Sequence, residues 1–199
     1  MPTTPTKTTQ TALLAWQDVA SAAQVIGTAL AVGSIWAAAV AIRLGRATGS
    51  AFTAGWPNVR IEASPLTSGG NWIPIFSYQM ALGSSIANTT LSASASAGAG
   101  TISVTSATNI AVGDILFLGD SSASNYELVR VKGVSGTTIT LEENLLNSHA
   151  NGALVTDQAE MVFPQLDLSA YQRVRAVCDN ANSGQGIKVE VQIVTFDSF

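Results

Sequence analysis

The chain has 199 residues, nine basic and thirteen acidic side chains, one cysteine and a net charge of −4, yet 47% of it is hydrophobic. That length suits one large domain or two small ones and needs no disulfide staple, and a few scattered Lys and Arg exclude a nucleic-acid groove, which needs clustered positive charge. At 11% charged, against about 25% for an ordinary soluble domain, the surface has little to keep it from sticking to its neighbours, which points to burial against other subunits.

Met1–Thr11 (MPTTPTKTTQT) is too polar to pack alone and lacks the apolar core of a secretory signal. Residues 1–15 are expected to form an extended arm. Val19–Ile42 is uncharged and long enough to cross a bilayer. It is dominated by alanine and broken by Ser21, Gln24, Gly27, Thr28, Gly33 and Ser34, so it gains little in lipid, and no membrane partner is expected. Its alanines leave a helix open by propensity, but turn residues every ten or so positions favour short strands. Strands are expected at Ala23–Val32, Ala37–Arg46, Asn58–Ala63 and Trp72–Leu82. Between Glu62 and Asp114 there is no charged side chain.

Leu91–Gly100 (LSASASAGAG) reads as a small-residue linker. Thr101–Val155 then carries five short alternating runs, with Ser135-Gly136 as a hairpin turn, and suits a small barrel or sandwich. From Gln158 come three more strands: EMVFPQLDL, YQRVRAVCDN and GIKVEVQIVTF. In the last, Ile187, Val189, Val191 and Ile193 alternate with Lys188, Glu190 and Gln192, which predicts one buried and one wet face. Asp179–Gly186 is expected to join the last two strands as a hairpin. Neither the strands before the linker nor those after the barrel make a sheet domain alone. The expected fold is therefore all-β: a jelly-roll-like antiparallel β-sandwich, residues 16–90 plus 157–199, with a linker and small β-barrel subdomain, 91–156, inserted. Trp72–Leu82 and Glu160–Leu168 would pair across the insertion.

Candidate chemistry is sparse. Gly119-Asp120-Ser121 matches the three letters of a GDS hydrolase, whose serine needs a histidine. The only histidine, His149, lies in NSHANG and reads as a turn residue, and Gly, Asp and Ser are themselves turn formers. Glu142 and Glu143, adjacent on a strand, point to opposite faces and do not flank one bond. One His and one distant Cys cannot make a zinc site. No catalytic, metal-binding or cofactor-binding residue is assigned. The interface candidates are Pro2 and Pro5 in the arm and Trp16, Trp36, Trp56 and Trp72, since tryptophan anchors interfaces and also stacks on sugars.

The run TISVTSATNIAVGDILFLGD…YELVRVKGVSGTTITLEENLLNSHANGALV resembles the small β modules of tailed-phage virion proteins. The ending LDLSAYQRVRAVCDNANSGQGIKVEVQIVTFDSF is similar to the closing strands of phage β-sandwich structural proteins. The resemblance implies a virion component. A capsid-bound decoration (cement) protein ranks first, on the capsid exterior, with the major capsid protein or other virion proteins and itself, as a homotrimer, for partners. A receptor- or host-glycan-binding virion protein ranks second, and a GDS hydrolase third.

Overall fold

The computed structural model describes residues 10–46, 57–80, 87–119, 125–157, 159–181 and 186–197. All regular structure there is antiparallel β. The strands are β1 (Thr11–Val19), β2 (Ala23–Ile26), β3 (Leu30–Ala31), β4 (Ile35–Arg46), β5 (Pro57–Ser64), β6 (Ile73–Gln79), β7 (Asn88–Thr90), β8 (Thr101–Ser103), β9 (Ile115–Gly119), β10 (Tyr126–Ser135), β11 (Thr138–Leu141), β12 (Leu154–Thr156), β13 (Ala159–Val162), β14 (Gln165–Asp167), β15 (Arg173–Asn180) and β16 (Ile187–Asp197). Val19–Ile42 is thus strand and turn. Among the described residues no helix is long and apolar enough to cross a membrane.

The chain divides into two compact units. One contains residues 1–44, 54–80 and 161–199, the other 45–53 and 81–160. The first holds two five-stranded sheets. One runs β1-β16-β4-β13, with β14 also on β4, and the other runs β2-β15-β5-β6, with β3 also on β15. Alternation builds its core: Val40, Ile42 and Leu44 of β4, Val59 and Ile61 of β5, and Val189 and Val191 of β16 are buried. The two sheets meet closely where β1 passes Gly27. A Cβ there would lie 1.8 Å from the Leu13 carbonyl oxygen, and this is where the expected single strand Ala23–Val32 breaks into β2 and β3.

Several expectations for this unit are corrected. The arm does not extend to residue 15, because Thr11 already pairs with Ile193. The last two strands are not a hairpin: β15 and β16 belong to different sheets, and the polar segment between them carries the chain from one to the other. Trp72–Leu82 does not pair with Glu160–Leu168 either. β6 pairs with β5, its neighbour in sequence, and ends its sheet, which is where Pro74 is tolerated. EMVFPQLDL is broken at Pro164, which has no N–H to give, into β13 and β14. The expected wet face of β16 is covered over its first half. Lys188 and Glu190 are buried, with Lys188 Nζ 2.7 Å from Asp18 and Glu190 3.3 Å from Arg43.

The second unit is a six-stranded sheet, β7-β12-β9-β10-β11-β8. It curls until its edges meet at the Leu91–Val104 bridge, with Ser92 N–H donating to Ser103 and Thr105 N–H to Thr90, each at 2.9 Å. Leu91, Ile102, Leu116, Leu118, Val131 and Ile139 fill it. Leu91–Gly100 is therefore no linker. Leu91 and Ala95 are in the core, and small residues elsewhere let the chain lie close against the barrel. β7 pairs with β12, so residues 88–90 belong to this unit rather than to the sandwich. The hairpin turn is Gly136-Thr137, one residue later than expected, with Gly136 at φ +59°.

Candidate functional site

The outer face of the β1-β16-β4 sheet carries the most distinctive surface. In WAAAVAI, the even positions Ala38 and Val40 face the core, so Ala37, Ala39 and Ala41 face outward. On one side β14 pairs Gln165 with Ala39 and Asp167 with Ala37. On the other, β16 presents Gln192, Val194 and Phe196, the alternates of its buried set. A strand of alanines between two strands of longer side chains makes a trough.

Two adjoining hollows occupy it and share Gln165. One, of about 480 Å³, is lined by Trp36, Ala37, Asp167, Phe196 and Asp197 among others. The second, of about 200 Å³, is lined by Gln10, Ala39, Ala41, Phe163 and Val194 among others. Among the described residues no basic side chain lines either. The rims are aromatic and open, Trp36 being 57% and Phe163 68% exposed. The Trp36 backbone is fixed by its carbonyl, which accepts from Leu168 N–H at 2.8 Å, and Val40 N–H donates to the Pro164 carbonyl at 2.9 Å. The Asp167 carboxyl accepts the Ser169 amide at 2.9 Å. That bond, with the Ser169 side chain, holds its pKa below the ordinary value, so a fixed negative charge sits at the trough's edge.

The predicted interface residues are not brought together. Trp36 is in the trough, whereas Trp72 lies on the other sheet, with the Arg173 and Arg175 guanidinium carbons 4.7 and 4.2 Å from its ring centroid. Arg175 also grips Glu62 at 2.7 and 2.9 Å. Trp16 is half-buried on β1. Pro2, Pro5 and Trp56 lie outside the described residues. Phe163, Phe196 and the alanine floor were missed, although the alternating alanines of residues 37–41 were the available signal.

The hydrolase candidates fare differently. Asp120 and Ser121 lie outside the described residues. Gly119 ends β9 and pairs with Tyr126 of the strand β10. His149 is buried, and its Nε2 is held 2.7 Å from Glu127. It is therefore a structural residue with an acidic partner, not the simple turn histidine expected. Glu142 is 3.6 Å from Arg130. Among the described residues no cluster of three or more His, Cys, Asp or Glu could hold a metal.

No family model matches the chain, and no curated protein matches it. Among solved structures it is similar to the tailspike gp61 of Pseudomonas phage phi297, with 24% identity over 36% of this chain and 14% of the tailspike, at a TM-score of 0.33. It is also similar to the SPBc2 prophage-derived protein YomS, with 11% identity over 99% of this chain and 98% of that one, at a TM-score of 0.34. VP17, a capsid protein of bacteriophage P23-77, covers 97% of this chain, and is itself covered in full, at 10% identity and a TM-score of 0.20. At these TM-scores the three likenesses assign neither a family nor a role.

Proposed function

We propose that the chain is a non-enzymatic structural component of a phage particle, bound at the capsid exterior as a decoration protein. It works by binding alone. A protein that binds the assembled shell and not its free subunits makes the shell harder to disrupt by mass action. The observation that carries this reading is the outer trough: two exposed aromatics over an alanine floor, with no basic side chain lining it among the described residues. Aromatic anchors around a shallow apolar floor are the composition of a protein–protein contact. The resemblance of the sequence to virion β modules and the low overall charge agree with it. A homotrimer fits the threefold positions of an icosahedral shell. The test compares particles made with and without this chain. The reading expects the particles lacking it to release their genome at a lower temperature. Equal release temperatures would remove the decoration role.

A second reading has its own observation. In the larger hollow Trp36 stands beside Gln165, Asp167 and Asp197, an aromatic platform with hydrogen-bonding groups at its edge, which is the chemistry of a sugar subsite. Receptor-glycan binding would then be the role. Retention of the purified chain on host surface polysaccharide, lost in Trp36→Ala, supports that alternative.

A further inference from the structure

We infer that the larger hollow of the trough takes an arginine side chain of the neighbouring virion protein, its guanidinium stacked on Trp36 and paired with the carboxylates of Asp167 and Asp197. The inference rests on the reading of this face as a contact surface, and it names the chemistry that the partner brings.

An aromatic face, two carboxylates and an apolar wall meet in that hollow. Trp36, Asp167 and Asp197 line it together with Ala37, Leu166 and Phe196. β14 sets Asp167 opposite Ala37, and the next amide, of Leu168, donates to the Trp36 carbonyl at 2.8 Å. The first carboxylate and the tryptophan are thus fixed by the same two strands. The Ser169 amide keeps Asp167 ionised. Two like charges at one hollow call for a cation, and among the described residues no basic side chain lines it.

The other sheet of this unit shows the same set completed. There Trp72 lies under the Arg175 guanidinium, 4.2 Å from its ring centroid, and Arg175 binds the Glu62 carboxylate at 2.7 and 2.9 Å. Aromatic, guanidinium and carboxylate all come from one chain. At Trp36 the aromatic and the carboxylates are in place and the guanidinium is to be supplied. Arg43, Arg60 and Arg130 pair with Glu190, Glu62 and Glu142, and Arg173 donates to the carbonyls of Leu66 and Gly69. Among the described residues the arginines are therefore engaged elsewhere, so the cation comes from a partner.

Arginine fits this hollow better than lysine. Its planar, weakly hydrated head stacks on tryptophan and still donates to carboxylates. Its methylene stem covers the apolar wall, for which about 480 Å³ leaves room. Arginine and tryptophan are also the residues that most often anchor protein contacts.

The probe is Nα-acetylarginine amide, titrated into the isotope-labelled full chain beside Nα-acetyllysine amide at equal concentrations. The expected result is saturable shifts of the Trp36 indole N–H and the Ala37 and Asp167 amides, several-fold larger with the arginine compound. Asp167→Asn with Asp197→Asn, which keeps the shape and an acceptor for the Ser169 amide, should abolish them. Equal shifts with both compounds, or none at these three groups, would overturn the arginine seat. Host surface polysaccharide moving these signals where the arginine compound does not would overturn it in favour of a sugar. Particles give the second readout. The double variant should be released from them at least about 30-fold faster, as when one side of a desolvated charge pair is removed, and Trp36→Ala should be shed as well. A double variant retained like the unaltered chain while Trp36→Ala is shed would overturn the arginine and leave the contact surface standing. Retention of both variants would overturn the contact surface itself.

Discussion

The carboxylate of Glu127 on β10 sits 2.7 Å from Nε2 of His149, and the same side chain accepts the amides of Leu146 at 2.8 Å and Asn147 at 3.1 Å. One buried acid thus holds the segment 146–149 onto the barrel. Glu127→Ala would strand two amides and an imidazole. It should destabilise this unit by about 3 kcal/mol, with faster hydrogen exchange at Leu146 and Asn147. Glu127→Gln keeps an acceptor oxygen and should cost less. Unchanged protection of both amides in the alanine variant would contradict the clamp.

Gly27→Ala puts a methyl 1.8 Å from the Leu13 carbonyl oxygen, a backbone atom that cannot turn away. The two sheets must part to admit it, so the loss should exceed the about 1–3 kcal/mol of ordinary overpacking. Gly70→Ala is the control, since a Cβ there meets nothing within 4 Å. Thermal unfolding should show a large drop in Tm for the first and almost none for the second.

Cys178 is buried in the middle of β15, and burial, with some help from Asp179, pushes its thiol from 9.0 up to about 12. The unfolded thiol ionises from about pH 9 and the folded one does not, so between pH 9 and about 12 the native state holds the extra proton. Stability should therefore be intact below pH 9 and fall as pH rises through that window, by at most about 1.4 kcal/mol per pH unit. Cys178→Ala should show a shallower fall over the same range in denaturant titrations. Below pH 9 the thiol should resist alkylation until the sandwich opens.

Two tryptophans that look alike in the sequence should behave differently. Trp72→Ala removes the surface on which Arg173 and Arg175 rest and should cost about 1–2 kcal/mol. Trp36 is 57% exposed, and Trp36→Ala should change stability by less than about 0.5 kcal/mol. Particle binding should follow the reverse order. If Trp36→Ala unfolds the chain and Trp72→Ala does not, the assignment of roles is reversed.

Strands such as β5 and β16 were legible because alternation is local: Val59/Ile61/Ala63 and Ile187/Val189/Val191/Ile193 face one way in sequence and in structure, whereas β1 was not expected and its first five residues were read as arm. Which strands pair was not legible, because register depends on distant partners. β15 and β16 are close in sequence yet lie in different sheets, and only Gly27 and Pro164 hinted that two of the expected strands are each two. Lys188 and Glu190 look solvent-facing until Asp18 and Arg43, far away in the chain, are placed beside them. The trough was half legible. Trp36 was identified as an interface residue, but Ala37, Ala39 and Ala41 are informative only once Phe163 and Phe196 are known to flank them.

The central claim is that this outer face touches another virion protein. Phe163, 68% exposed at the rim, can be replaced by its photoreactive benzoyl derivative with little disturbance, and Leu146, 82% exposed on the other unit, likewise. Irradiation of intact particles carrying either variant, followed by mass spectrometry, should cross-link position 163 to a different virion protein or to another copy of this chain. A product at position 146 alone, or none at 163 in particles that contain the chain, would contradict the account.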